Sequence, residues 1–196
     1  MSKEIVTSNT GMPSQWKSFW TTAAIVFLVG LHPVTANAQS DAPSDPQIVG
    51  IVSAADQIDI NYAKLALSKT NDKQVNDFAQ QMITDHTSVQ KAVADLAAKL
   101  NVTPAESGTS SSLTTQARQT MQKLDGLNGK AFDKAYIDNE VAYHQAVINT
   151  TNTVLIPSAQ NADLKSALQG AVPLFEGHLQ HAQRVQSALG VGKSDY

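Results

Sequence analysis

The chain has 196 residues, 42% hydrophobic, 16% charged and 6% aromatic, with 14 basic against 17 acidic side chains and no cysteine. A net charge of −3 excludes a protein whose affinity comes from clustered Lys and Arg neutralising nucleic-acid phosphates, so no nucleic-acid partner is expected. Absence of cysteine excludes disulfides, thiolate nucleophiles, Fe–S clusters and Cys-ligated zinc, leaving His, Asp and Glu as the strong metal ligands. With only 10 Gly and 7 Pro, the composition is that of packed helices, in a domain large enough to bury a core without staples.

The amino terminus reads as an export signal. A polar stretch through Lys17 precedes the apolar run Thr21 to Leu31, which is shorter than the roughly 20 apolar residues a membrane anchor needs. The run breaks at Pro33, and Ala36-Asn37-Ala38 gives the small-x-small pattern of a signal-peptidase site. Residues 1–38 are therefore predicted to be a signal peptide cleaved after Ala38, delivering a periplasmic or secreted protein with no membrane anchor. Cleavage leaves 12 basic and 16 acidic side chains, a net −4. In an oxidising compartment, the missing cysteines imply that helix packing alone holds the fold.

Residues 39–47 read as a flexible leader, 48–190 as a helical bundle domain and 191–196 as a tail. The first helix is predicted at about Pro46 to Thr70 and the second at about Asp72 to Leu100, antiparallel across the Asn71-Asp72 corner. A polar loop, Asn101 to Ser112, follows, and the Ser/Thr-rich stretch Thr109 to Thr115 reads as linker. A short extra helix is predicted at Leu113 to Leu127. The third long helix spans about Lys130 to Ile156, stopped by Pro157, and the fourth about Asn161 to Leu189. Pro173 should kink the fourth or make its first part a separate short helix. The link of about 30 residues between the second and third long helices is long enough to travel the length of a bundle. These features predict an all-α, ferritin-like four-helix bundle with a long crossover carrying a short extra helix.

Each long helix places an ionisable residue on its apolar stripe. On the third, Phe132, Tyr136, Ile137, Val141, Val147, Ile148, Thr151, Val154 and Leu155 share half the wheel, with Glu140 and His144 near its centre. On the second, His86 lies within the stripe that includes Phe78, Met82 and Val89, and Asp85 lies at its border. The fourth repeats Leu164, Leu168, Ala171, Phe175, His178, Ala182, Val185 and Leu189, so His178 is a seam residue and His181 a border one. On the first, Asp59 is near the centre and Asp56 towards an edge. Helix midpoints fall near residues 58, 86, 143 and 175, so Asp59, His86, Glu140, His144 and His178 all lie within about 5 Å of one height. Burying isolated charges there would cost several kcal/mol, which calls for mutual hydrogen bonding or a metal ion. Three imidazoles and two carboxylates suit Fe, Mn, Zn or Cu better than Ca or Mg.

The segments Ile51-Val-Ser-Ala-Ala55, Tyr62-Ala-Lys-Leu-Ala-Leu67, Phe78-Ala-Gln-Gln-Met-Ile-Thr-Asp-His86, the block Leu124 to Tyr136, and His144 with Gly177-His178-Leu179 resemble a family of exported bacterial proteins. That family is classed as ferritin-like and named only as a domain of unknown function. The resemblance covers about residues 48–189. It implies the fold and export, and carries over Asp59 (where the family usually has Glu), Asp85, His86, His144 and His178, without an established activity. The di-iron pattern of ferritin-like proteins includes two Glu-x-x-His motifs; none occurs here. The second helix has adjacent Asp85-His86, the third Glu140-x-x-x-His144, and the fourth His178-x-x-His181 with Glu176 off the face. One metal, or none, is the natural reading.

Three readings of the five residues stay open. They form a buried polar network that fixes helix register, in a non-catalytic envelope or stress-related structural or interaction protein; or they bind a transition metal; or, least favoured, they serve acid/base catalysis, for which the pattern offers no nucleophile or substrate pocket. Asp56 and Asp85 read as solvated edges or as hydrogen-bond partners that fix the histidine tautomers. Tyr62, Tyr136 and Tyr143 read as core or rim aromatics.

Overall fold

The structure, a computed structural model, describes residues 42–190. The predicted signal peptide, the site after Ala38 and the tail 191–196 lie outside them. All regular elements among the described residues are helical: α1 (Asp45–Lys69), α2 (Lys73–Lys99), α3 (Gly108–Asp125), α4 (Gly129–Thr150), a π turn (Thr151–Leu155), the single turn α5 (Ile156–Ser158) and α6 (Ala162–Gly190). No helix among the described residues is long and apolar enough to cross a membrane.

The helix ends follow from side chains that satisfy free backbone groups. The Asp72 carboxylate accepts from the Gln74 and Val75 amides at 2.8 and 3.2 Å, and Asn161 Oδ1 accepts from those of Asp163 and Leu164 at 2.9 and 3.2 Å, each capping a helix N-terminus. α2 closes with Asn101 in the left-handed conformation, φ 54°. The amides of Asn101 and Val102 then bond back to Ala98 and Ala97 at 3.2 and 2.9 Å, the paired closure that a left-handed residue after a helix permits. Asp45 at the start of α1 accepts from the Gln160 and Asn161 amides, both at 2.9 Å, tying it to the start of α6.

α1 packs chiefly on α2 and α4 on α6, with α3 lying against α1. The connector after α2 rides directly on α1, where the Ala105 amide donates to the Pro46 carbonyl at 2.9 Å. A Cβ on Gly50 would lie 2.1 Å from the Ala105 carbonyl oxygen, so the mid-helix glycine is the residue that lets this backbone approach. Two apolar clusters result. One is built around Phe78, Met82, Phe132, Tyr136 and Ile137; the other around Ile48, Ile51, Leu155, Leu164 and Leu168.

Several expectations need correction. The Thr109 to Thr115 stretch is not linker: it forms the first turns of α3, because Ser107 Oγ accepts from the Ser110 amide at 3.1 Å and starts the helix five residues earlier than predicted. α1 begins at Asp45, one residue before the predicted Pro46, so the last residues of the assigned leader form its first turn, where a proline needs no amide donor. The third long helix does not run unbroken to Ile156. It leaves α geometry at Thr151, and Pro157 sits in the first turn of α5. The wider π turn shifts the side-chain register, so Thr151 and Leu155 stay buried while Val154, assigned to the apolar face, is 41% exposed. Pro173 does not make the first part of α6 a separate helix. Pro173 and Gln169, whose carbonyl it leaves unbonded, are both exposed, so water can serve that carbonyl, while Leu168 and Phe175 anchor the helix on either side.

Candidate metal centre

The five predicted core ionisable residues converge. Asp59 and Glu140 are fully buried, and His86, His144 and His178 are 3% exposed or less. Helical periodicity placed them on the inward stripes of α1, α2, α4 and α6, and their common height along those helices brings them together. The ring centroids of His86, His144 and His178 lie 5.2 to 5.8 Å apart pairwise. One nitrogen from each of these three residues falls within 4.8 Å of the others, and a second trio, Asp59, Glu140 and His144, meets the same limit and shares His144.

Each imidazole is held by one of its two nitrogens. His86 Nδ1 donates to Asp56 Oδ1 at 2.7 Å, His144 Nδ1 to the Glu140 backbone carbonyl at 3.0 Å, and His178 Nε2 to Asp85 Oδ2 at 2.9 Å. The other nitrogens, His86 Nε2, His144 Nε2 and His178 Nδ1, are buried without a hydrogen bond. Asp59 Oδ2 approaches His86 Nε2 at 3.1 Å and His144 Nε2 at 3.4 Å, off the line a hydrogen bond requires. Both oxygens of Asp59 and both of Glu140 are likewise unpaired. An acceptor behind each ring fixes the tautomer that turns the remaining nitrogen inward, the arrangement found behind metal-binding histidines.

The electrostatics divide the histidines. Burial lowers His86, but the hydrogen bond to Asp56 and the negative charges of Asp59 and Asp56 overcome it and push the group up to about 10. Burial lowers His144, and it lowers His178 to about 4 against the opposing Asp85 contact. Burial raises Glu140 well above the usual carboxyl range, reinforced by the Asp59 charge. Burial would raise Asp59 too, yet the contact with the His86 imidazolium leaves it lowered. In the metal-free protein the centre is therefore an Asp59 carboxylate facing a His86 imidazolium, surrounded by neutral His144, His178 and Glu140.

Of the two readings of Asp56, a solvated edge or a partner that fixes a histidine tautomer, the structure takes the second: Asp56 is 2% exposed and orients His86. The signal was present, because Asp56 and Asp59 are three apart and share a helix face. Asp85 is part-buried and holds His178, while His181 keeps its border position, with Nδ1 on the Gln81 amide oxygen at 2.8 Å. Phe175 stacks on His86, ring planes 3° apart and centroids 5.8 Å apart; Tyr143 donates to the Ala55 carbonyl at 2.9 Å. The sequence pattern also showed no pocket, whereas a cavity of about 440 Å³ reaches Asp56, Asp59, His86 and His144 at one end and runs between valine, leucine and alanine side chains.

Residues 31–185 match the family described as a domain of unknown function, DUF4142. The fold is similar to the crystal structure of a DUF305 protein from Streptomyces coelicolor that is proposed to be secreted, with a TM-score of 0.61 at 12% identity over 76% of this chain and 96% of that one. No curated protein matches the chain. The chain belongs to the DUF4142 family.

Proposed function

We propose that this DUF4142 protein is an exported, ferritin-like four-helix bundle that binds a transition-metal ion at its centre through His86, His144 and His178, with Asp59 and Glu140 as the carboxylates. The observation that carries this reading is the set of three buried imidazoles, each anchored through one nitrogen and left with the other unbonded, that bring one nitrogen apiece within 4.8 Å of one another. Buried polar atoms are seldom left without partners, and here His86, His144, His178, Asp59 and Glu140 each carry at least one such atom. The donor set, nitrogen-rich and free of thiolate, suits Fe, Mn, Zn or Cu. A bound ion would supply a fixed positive centre and a Lewis acid. The protein's part is to hold the rings through Asp56, Asp85 and the Glu140 carbonyl, and to release the His86 proton on loading.

The test is metal analysis of untagged protein recovered from the periplasm, whose first residue should be Gln39 if the signal peptide is cleaved as proposed. Near-stoichiometric metal, lost in His86→Ala and His144→Ala, supports the site. Content well below one per chain that those substitutions leave unchanged would sink it. A second reading, a non-catalytic envelope protein whose core network fixes helix register, is supported by the Asp56–His86–Asp59 chain, in which charges already compensate one another. It predicts that His86→Ala lowers stability with no metal to lose.

A further inference from the structure

The cavity beside the centre is built for a molecule of its own. Its walls come from all the long helices and α3, and they are mostly Val, Leu and Ala, with Val52, Val89, Val93, Leu96, Leu168 and Ala171 representative. From His86 to Leu96 along α2 the lined length is about 15 Å at the rise of an α-helix. About 440 Å³ falls within the range of small-molecule sites, roughly 300–1,000 Å³, which are likewise apolar with a few convergent polar groups. Leu174 lines the cavity and is 37% exposed, one of two large apolar side chains so exposed among the described residues, and it shares the solvent-facing lining with the exposed Thr109 and Gln116.

The inner end is polar and carries several acceptors and a donor. The groups there without hydrogen bonds include Asp56 Oδ2, both oxygens of Asp59 and His144 Nε2, which offer lone pairs, and Asn139 Nδ2, which donates. A ligand carboxylate can only accept, so it would leave the lone pairs of Asp56, Asp59 and His144 unpaired, and it would add a second negative charge to a His86 imidazolium that Asp59 already matches, in a low-dielectric setting. A hydroxyl donates to these acceptors, and its oxygen can accept from Asn139 Nδ2 or serve a bound cation. We propose that the cavity binds an elongated hydrocarbon ending in a hydroxyl group, chain among the valines and leucines, hydroxyl at Asp59 and His144. This goes beyond the metal reading and does not rest on it, because the protein atoms alone supply the acceptors.

Both tryptophans, Trp16 and Trp20, lie in the predicted signal peptide, so the mature chain gives a low fluorescence background. The protein as purified is titrated with the neutral apolar fluorophore N-phenylnaphthylamine, then with dodecanol or dodecanoate as displacer, and metal content is measured on the same samples. Saturable uptake of one fluorophore per chain is expected, with dodecanol displacing it at a concentration lower by about tenfold or more than dodecanoate. Val93→Phe and Ala171→Phe, which fill the cavity away from the histidines, should weaken fluorophore and dodecanol binding by about tenfold or more, with metal content unchanged. Absence of saturable binding by the unsubstituted chain, dodecanoate binding as tightly as dodecanol, or full binding by folded Val93→Phe and Ala171→Phe proteins would overturn the proposal. Since the displacer comparison uses the unsubstituted chain, the test survives if a variant fails to fold. Since metal is measured separately, failure here and failure of the metal site are distinguishable.

Discussion

The two ends of the helical core differ in what fills them. Towards the α1–α2 corner, Phe78, Met82, Phe132, Tyr136 and Ile137 are completely buried and pack against one another, with Phe78 edge-on to Tyr136 at 6.1 Å between centroids. Towards the other end, the facing positions carry Val and Ala, and an open volume of about 440 Å³ remains. A sealed void of that size would cost on the order of 10 kcal/mol at about 24 cal/mol per Å³, comparable to the whole stability of a domain. The same helices with the same periodicity thus make a rigid end and a roomy end, and the ionisable cluster sits at the border. The rigid end fixes helix height and rotation, which aligns the histidines; the roomy end leaves access to them.

The largest test of this contrast is truncation in each half. Phe78→Ala should destabilise the metal-free protein by about 3–5 kcal/mol, whereas Val93→Ala, already bordering open space, should cost about 1 kcal/mol or less; urea unfolding measures both. Equal losses would mean that the second half is as tightly packed as the first.

Asp59→Ala attacks the border. It leaves the buried imidazolium with Asp56 as its single carboxylate partner; removing one partner of a buried pair costs about 3–5 kcal/mol, and a loss towards that size should be read as a drop in the urea midpoint of chelator-treated protein. A near-neutral result would show that His86 is not the buried cation.

A pH series sharpens the same point. His86 is raised to about 10 in the folded chain from an ordinary 6.5, so its stabilisation is fully present below pH 6.5 and is lost as the pH climbs through 10. Glu140, also raised, acts with the same sign above the ordinary carboxyl range. Metal-free stability should therefore fall by a few kcal/mol between about pH 6.5 and 10, and Glu140→Gln should increase stability near neutrality. A flat or rising profile contradicts the assigned charges.

The smallest effect concerns Gly50, which lies in the roomy half. Alanine is the better helix former, yet its Cβ would clash with the Ala105 carbonyl. Gly50→Ala should cost about 1–3 kcal/mol by thermal or urea unfolding, and a stabilised variant would show that the connector is free to move away.

The helices were legible because Leu164, Leu168, Phe175, His178 and Val185 repeat with the period of an α-helix, and burial follows that repeat. The same arithmetic brought out the five central residues, since a charged side chain in an apolar stripe is visible without coordinates. Asp56 was harder: a wheel gives an angle but not the neighbour, and His86 is what draws that carboxylate inward. The π turn at Thr151–Leu155 depends on backbone hydrogen bonds that side-chain periodicity does not encode. The start of α3 depended on Ser107 acting as a cap, which outweighed the linker-like composition of the residues after it. The cavity was invisible because it is a difference between the volumes of side chains on five helices, and no single helix carries it.

The most direct test of the central claim is the metal content of untagged mature protein, with His86→Ala, His144→Ala and His178→Ala measured beside it. About one transition-metal ion per chain, lost in all three variants while each remains helical, is the expected result. A metal-free protein, or one whose metal survives all three substitutions, would contradict it.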